Sequence, residues 1–163
     1  MKTKTITMTA MIAALYVILT LISHIFGLAS GAIQFRLSEA LTILPLMSVY
    51  AIPGLSIGCL IANIITGCSF LDVLLGTAAT FLGALGVYLL KQSRLKLLSP
   101  IFPIVSNTLI VSFIIWISVP NETIWLFMLE IFIGEFVCCG LLGNGLYVLL
   151  NKSKQIKKYM GNV

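Results

Sequence analysis

The sequence predicts an all-α membrane protein: a bundle of six transmembrane helices with both termini in the cytoplasm. Three observations carry this. Apolar residues make up 60% of the 163 positions, and only 9% are charged. A soluble domain carries about a quarter charged residues, so this chain could not cover a water-facing surface and lipid must be its solvent. The apolar residues fall in runs long enough to cross about 30 Å of hydrocarbon, which takes about 20 helical residues. The cations sit where membrane flanks belong.

The first span is expected over residues 5–26, after Lys2 and Lys4. That run has no charge before Gln34, too long for the core of a signal peptide, and is read as a retained span. The apolar stretch from Ala40 to Leu71 is too long for one crossing, and Pro53-Gly54 is its natural break. It divides into short helices over 38–52 and 54–66, with a re-entrant hairpin as the alternative. The fourth span is expected over 71–90. The fifth, over 100–118, starts at a Ser99 cap followed by Pro100 in the first turn, where a missing N–H costs nothing. The sixth, over 123–150, is long enough to tilt. All 163 residues form one domain, with no linker.

Charge placement tests this order. With the N-terminus inside, the inner segments hold Lys2, Lys4, Lys91, Arg94, Lys96, Lys152, Lys154, Lys157 and Lys158, and the outer segments hold only Arg36. This asymmetry requires an even number of crossings but does not separate two short spans from a hairpin. The net charge of +5 therefore does not point to nucleic acid.

Motifs for chemistry are sparse. His24 is the only histidine and lies near the outer end of the first span, which favours a structural role and leaves no zinc cluster. Cys59, Cys68, Cys138 and Cys139 form no CxxC and read as small apolar fillers. No Gly-Lys pair exists, so ATP cannot be bound through a P-loop. No metal and no cofactor is expected. Asn121-Glu122-Thr123 matches a glycosylation sequon without a compartment to use it.

Intramembrane polar groups carry the information, because a carboxylate in hydrocarbon costs about 3 kcal/mol on insertion scales. Glu130 and Glu135 share the sixth span, but five residues at about 100° each put them on different faces. Glu135 lies near mid-span behind Gly134, and Asn107 lies at similar depth in the fifth span. An Asn107–Glu135 tie between helices stands beside a ligand contact as the reading of this pair. Arg36 and Glu39 read equally as an i,i+3 ion pair or as a polar lid over an outward-facing site. Ser69 and Asp72 have capping-box spacing. Trp116 and Trp125 flank the Pro120-Asn121-Glu122 turn as an interfacial belt or as a stacking wall for a flat ligand. Small residues stripe the first helix (Thr3, Thr7, Ala10, Ala14) and the third (Gly54, Gly58, Ala62), faces that let helices approach in lipid.

Several blocks together carry a family resemblance. They are Phe35-Arg36-Leu37-Ser38-Glu39-Ala40-Leu41-Thr42 with Leu44-Pro45, the run from Ala51 to Asn63, Leu71-Asp72 with Gly76 and Ala79-Thr80, Asn107 with Leu109-Ile110-Val111, and Gly134-Glu135. The chain resembles the queuosine-precursor transporter (QueT) family over most of its length. The resemblance implies a substrate-binding S component of an energy-coupling factor (ECF) importer in the plasma membrane, with the six-helix fold of that type and a cavity open to the outside. It also implies partners, a transmembrane coupling subunit and two cytoplasmic ATPases, with Ala10 and Ala14 matching the spacing of the helix-one contact motif. ATP hydrolysis then falls on other chains, and this chain is not an enzyme. The implied substrates are 7-deazaguanine bases or queuine. Their paired N–H donors suit a carboxylate and their carbonyl suits a donor, which ranks Glu135, Glu39, Asn107 and Glu130 ahead of Arg36, Trp116 and Trp125 as binding residues. The alternatives are an S component for another flat vitamin, or a small intramembrane enzyme using Glu130 and Glu135.

Overall fold

The computed structural model describes residues 2–28, 34–118 and 123–154. The Pro120-Asn121-Glu122 turn, the sequon, Lys157 and Lys158 lie outside the described residues. Six α-helices appear in order: α1 (Lys2–Ile25), α2 (Ala51–Ile65), α3 (Thr77–Leu89), α4 (Ile101–Ser118), α5 (Ile124–Glu135) and α6 (Asn144–Lys152). Three irregular helical pieces join them: a 3₁₀ segment over Leu37–Leu46, a π turn over Asp72–Gly76 that runs into α3, and a π segment over Phe136–Gly143 that fuses α5 to α6. Four continuous stretches are long and apolar enough to cross a membrane, namely Thr3–Ile25, Asp72–Leu89, Lys96–Ser118 and Ile124–Lys152.

The helices α1 to α5 pack in chain order, each on the next. The 3₁₀ segment sits among them, touching α1, α2, α3, α6 and the π segment. Ser38, Glu39 and every residue from Leu41 to Ser48 are buried, so this short piece is the centre of the bundle. Its ten residues cover about 20 Å at the 3₁₀ rise. The fifteen of α2 cover about 22 Å. Both fall short of the hydrocarbon thickness.

The break between these two short pieces corrects the expectation. It lies at residues 47–50, not at Pro53-Gly54: Met47 and Ser48 N–H both return to Leu44 O, and α2 begins at Ala51. Pro53 falls in the first turn of α2, where its missing N–H has no partner to lose. The fifth span also starts differently. Ser99 does not cap α4, because its buried hydroxyl has no hydrogen-bond partner among the described residues.

Two glycines end helices at the outer side. Gly27 (φ 68°) follows α1 and Gly67 (φ 71°) follows α2. In each the chain turns back with a paired bond, Leu28 N–H to Ser23 O (2.9 Å) and Cys68 N–H to Asn63 O (3.0 Å). This is the left-handed glycine stop that satisfies the last carbonyls of a helix. The α2 small-residue stripe packs inside the chain. A methyl group on Gly54 would lie 2.9 Å from Thr9 O, and one on Gly58 would lie 2.8 Å from Tyr16 Cβ. Ala10 and Ala14, by contrast, are exposed on α1.

Candidate functional site

Polar residues from five elements meet where the 3₁₀ segment crosses the bundle. Glu39 is 1% exposed, Asn107 3% and Glu135 7%, so all three have left both water and lipid. The Tyr16 hydroxyl, on α1, donates to Glu39 Oε1. Asn107 Nδ2, on α4, donates to Glu135 Oε1 at 2.9 Å and to Glu39 Oε2 at 3.3 Å. The Cys139 thiol donates to Glu135 Oε2 at 3.1 Å. Each of the four carboxylate oxygens thus accepts a hydrogen bond, which is what a buried acid needs to be tolerated in the interior. Thr42 donates to Glu39 O at 2.6 Å, and Thr20 donates to Ser38 Oγ at 2.8 Å, so the segment carrying Glu39 is held on both sides.

Backbone shape makes this meeting possible. Gly134 lets the chain before the 3₁₀ segment pass directly against α5, because a methyl group there would collide with Gln34 O. The π segment begins at Phe136, immediately after Glu135. Such wider turns displace the side chains that follow, and they recur at functional sites. Glu39, Glu135 and Cys139 also bring potential metal-ligand atoms within 4.8 Å of one another. Those atoms are already engaged in the internal network described above.

A cavity of about 200 Å³ lies next to this network. It is lined from α1 by Thr20 and His24, from the approach to the 3₁₀ segment by Gln34 and Arg36, from α2 and its following turn by Asn63, Thr66 and Cys68, from the π turn by Asp72 and Gly76, and from α4 by Val111 and Ile115. Thr20 is one turn beyond Tyr16 on α1, and Val111 is one turn beyond Asn107 on α4. The cavity therefore sits one helical turn outward of the carboxylates, at the end that the charge asymmetry assigns to the outside.

Arg36 and Asn63 frame it. Arg36 Nη2 donates to Asn63 Oδ1 at 2.5 Å, and Asn63 Nδ2 donates to Asp72 O at 3.1 Å. The guanidinium turns to Asn63, not to an ion pair with Glu39, whose carboxylate is taken by Tyr16 and Asn107. Five N–H groups leave it with more donors than Asn63 can use. Ser69 and Asp72 form their capping pair, with Ser69 Oγ donating to Asp72 Oδ2 at 2.7 Å and accepting Asp72 N–H at 3.2 Å.

The structure thus brings together Glu39, Asn107 and Glu135, with Arg36 on the adjoining cavity wall. Glu130 is half-buried on another face of α5, apart from both network and cavity. Trp116 and Trp125 do not line the cavity. Trp125 is 71% exposed, and Trp116 leans on Phe113 with ring centroids 6.2 Å apart. The chain ends of α4 and α5 carry both rings outward, as an interfacial belt requires. Tyr16, Asn63, Thr20, Gln34 and Cys139 were not singled out as site residues in the sequence. Asn63 was the readable one, an amide inside an apolar helix. Cys139 follows Glu135 by four, the spacing of helix-surface neighbours.

Residues 6–152 match the family model described as QueT transporter. The chain belongs to the QueT transporter family. That span contains every network and cavity residue named above. A protein of Lactococcus lactis subsp. cremoris (strain MG1363) named queuosine precursor transporter QueT is 38% identical over 94 residues, 57% of this chain and 55% of that protein. The aligned part thus spans about half of that relative's length. No solved structure matches the chain.

Proposed function

We propose that this QueT family member is the substrate-capture component of an importer in the plasma membrane, taking a planar 7-deazaguanine base from outside the cell. The observation that carries the reading is the outward cavity of about 200 Å³ with a guanidinium, two amides and a carboxylate on its wall, one turn above a buried carboxylate pair. A guanine-like edge needs an acceptor for paired N–H groups and a donor for its carbonyl. Asp72 and the Asn63 and Gln34 amides offer acceptors, and Arg36 offers donors. Glu39 and Glu135 lie buried one turn beneath the cavity, to be reached by a ligand that takes over one of the hydrogen bonds from Asn107.

The named relative supports the substrate class. Energy coupling through an ECF transmembrane subunit and two ATPases is supported by Ala10 and Ala14 on α1, a small-residue face left exposed among the described residues. Such faces associate helices in lipid.

Binding of deazaguanine bases to the purified protein tests the reading. Micromolar affinity is expected, and a folded protein that binds none of them rules the reading out. Glu135→Gln is expected to weaken binding by about tenfold, or about 1.4 kcal/mol. Unchanged affinity would leave Glu135 with the structural tie to Asn107 alone.

A further inference from the structure

We propose that a groove on the inner half of the bundle, between α4 and the π segment, holds an acyl chain of an anionic phospholipid whose headgroup rests on the cations at the inner rim. The groove has a volume of about 440 Å³ and is walled by apolar residues, among them Leu97, Ile101, Ile104, Phe132 and Phe136. Its length follows α4 from its inner end toward mid-membrane. Gly140 forms its floor, where an added methyl group would only touch Phe136 and Ile104, at 3.7 and 3.8 Å. The missing side chain at Gly140 therefore leaves space that packing within the chain does not fill.

The inner mouth is polar at one residue. Asn144 Nδ2 donates across it to Leu97 O at 3.0 Å, while its Oδ1 finds no donor among the described residues. Lys96 directly precedes the lining residue Leu97, and the inner segments also carry Lys91, Arg94, Lys152 and Lys154. Acidic counterparts are absent there. Of the five acidic residues in the sequence, Glu39 and Glu135 are in the buried network, Asp72 is at the outer cavity, Glu130 is on α5, and Glu122 belongs to the sequence turn expected on the outer side. The sequence thus places no Asp or Glu on the inner segments to offset this charge. An apolar chain tied to a phosphate satisfies both features at once, since each Lys or Arg near a membrane surface attracts anionic lipid. A partner helix is the less suitable occupant. The exposed small-residue face lies on α1, which packs with α2 and the 3₁₀ segment, whereas the groove lies on the flank formed by α4 and the π segment.

Native mass spectrometry of the purified protein with added phosphatidylglycerol or phosphatidylcholine of identical acyl chains tests this. One phosphatidylglycerol is expected to be retained over phosphatidylcholine by about fivefold, the contribution of one basic residue at a membrane surface. Gly140→Leu, which fills the floor, is expected to abolish retention of both lipids. The double variant Lys96→Gln/Lys152→Gln is expected to remove only the preference. Should Gly140→Leu fail to fold, Val105→Trp fills the same groove from α4. Equal retention of the two lipids by the native protein overturns the proposal. So does undiminished phosphatidylglycerol retention by a groove-filled variant that melts at the native temperature, or a copurifying membrane protein that excludes the lipid.

Discussion

The carboxylate network and the outer cavity are neighbours along the same helices, yet they are built to opposite rules. In the network each acid oxygen has its donor, supplied by Tyr16, Asn107 or Cys139. In the cavity wall Arg36 has a single described partner, Asn63, and a guanidinium can serve several. Moving one helical turn from Asn107 to Val111 passes from a closed set of hydrogen bonds to an open one. The difference teaches that a polar cluster in a membrane protein can stabilise the bundle at one depth and face a solute at the next. Substitutions in the cavity wall should therefore lower binding with stability kept, whereas substitutions in the network should lower stability as well.

The largest effect is expected at Asn107. Asn107→Leu strips a donor from both carboxylates and should cost about 3 kcal/mol, since each buried acceptor left without its donor costs about 1–3 kcal/mol. A thermal melt in detergent checks this, and a melting temperature within a degree or two of the native protein would erase the distinction drawn here. Next is Arg36→Gln, which should lower affinity for a deazaguanine base by about tenfold while the melt stays nearly native. Isothermal titration beside the melt reads both, and a loss of stability without a loss of affinity would place Arg36 with the network instead. The smallest is Tyr16→Phe, which removes one donor from Glu39 and should cost about 1 kcal/mol. An affinity change larger than that stability change would show that ligand reaches deeper than the cavity floor.

Much of the fold was legible, because the apolar length of the four long stretches is a direct requirement of the bilayer. The short central pieces were less so. Pro53 looked like a break, yet a proline is harmless in a first turn, and the actual bend at residues 47–50 has no glycine or proline to mark it. The ten-residue 3₁₀ segment has no sequence period that separates it from a short α-helix.

The site was legible where polarity conflicts with lipid. Glu135 and Asn107 stood out for that reason, and Glu39, expected beside Arg36 at the outer face, meets them in the interior. The residues that complete them did not stand out, since Tyr16 and Cys139 pass as apolar and show a polar side only once a partner is opposite. Trp116 and Trp125 carried two readings, a belt and a stacking wall. A flat ring suits a flat ligand and a bilayer surface equally well, and sequence position alone does not choose between them.

The four thiols of this chain are unequal, and that gives it a built-in reporter. Cys59, Cys138 and Cys139 are buried, while Cys68 is half-buried and forms part of the outer cavity wall. A maleimide added from the extracellular side should mark Cys68 first, and a bound base should slow that labelling in proportion to occupancy. The native sequence then permits a fluorescence assay of loading in intact membranes, with no engineered cysteine.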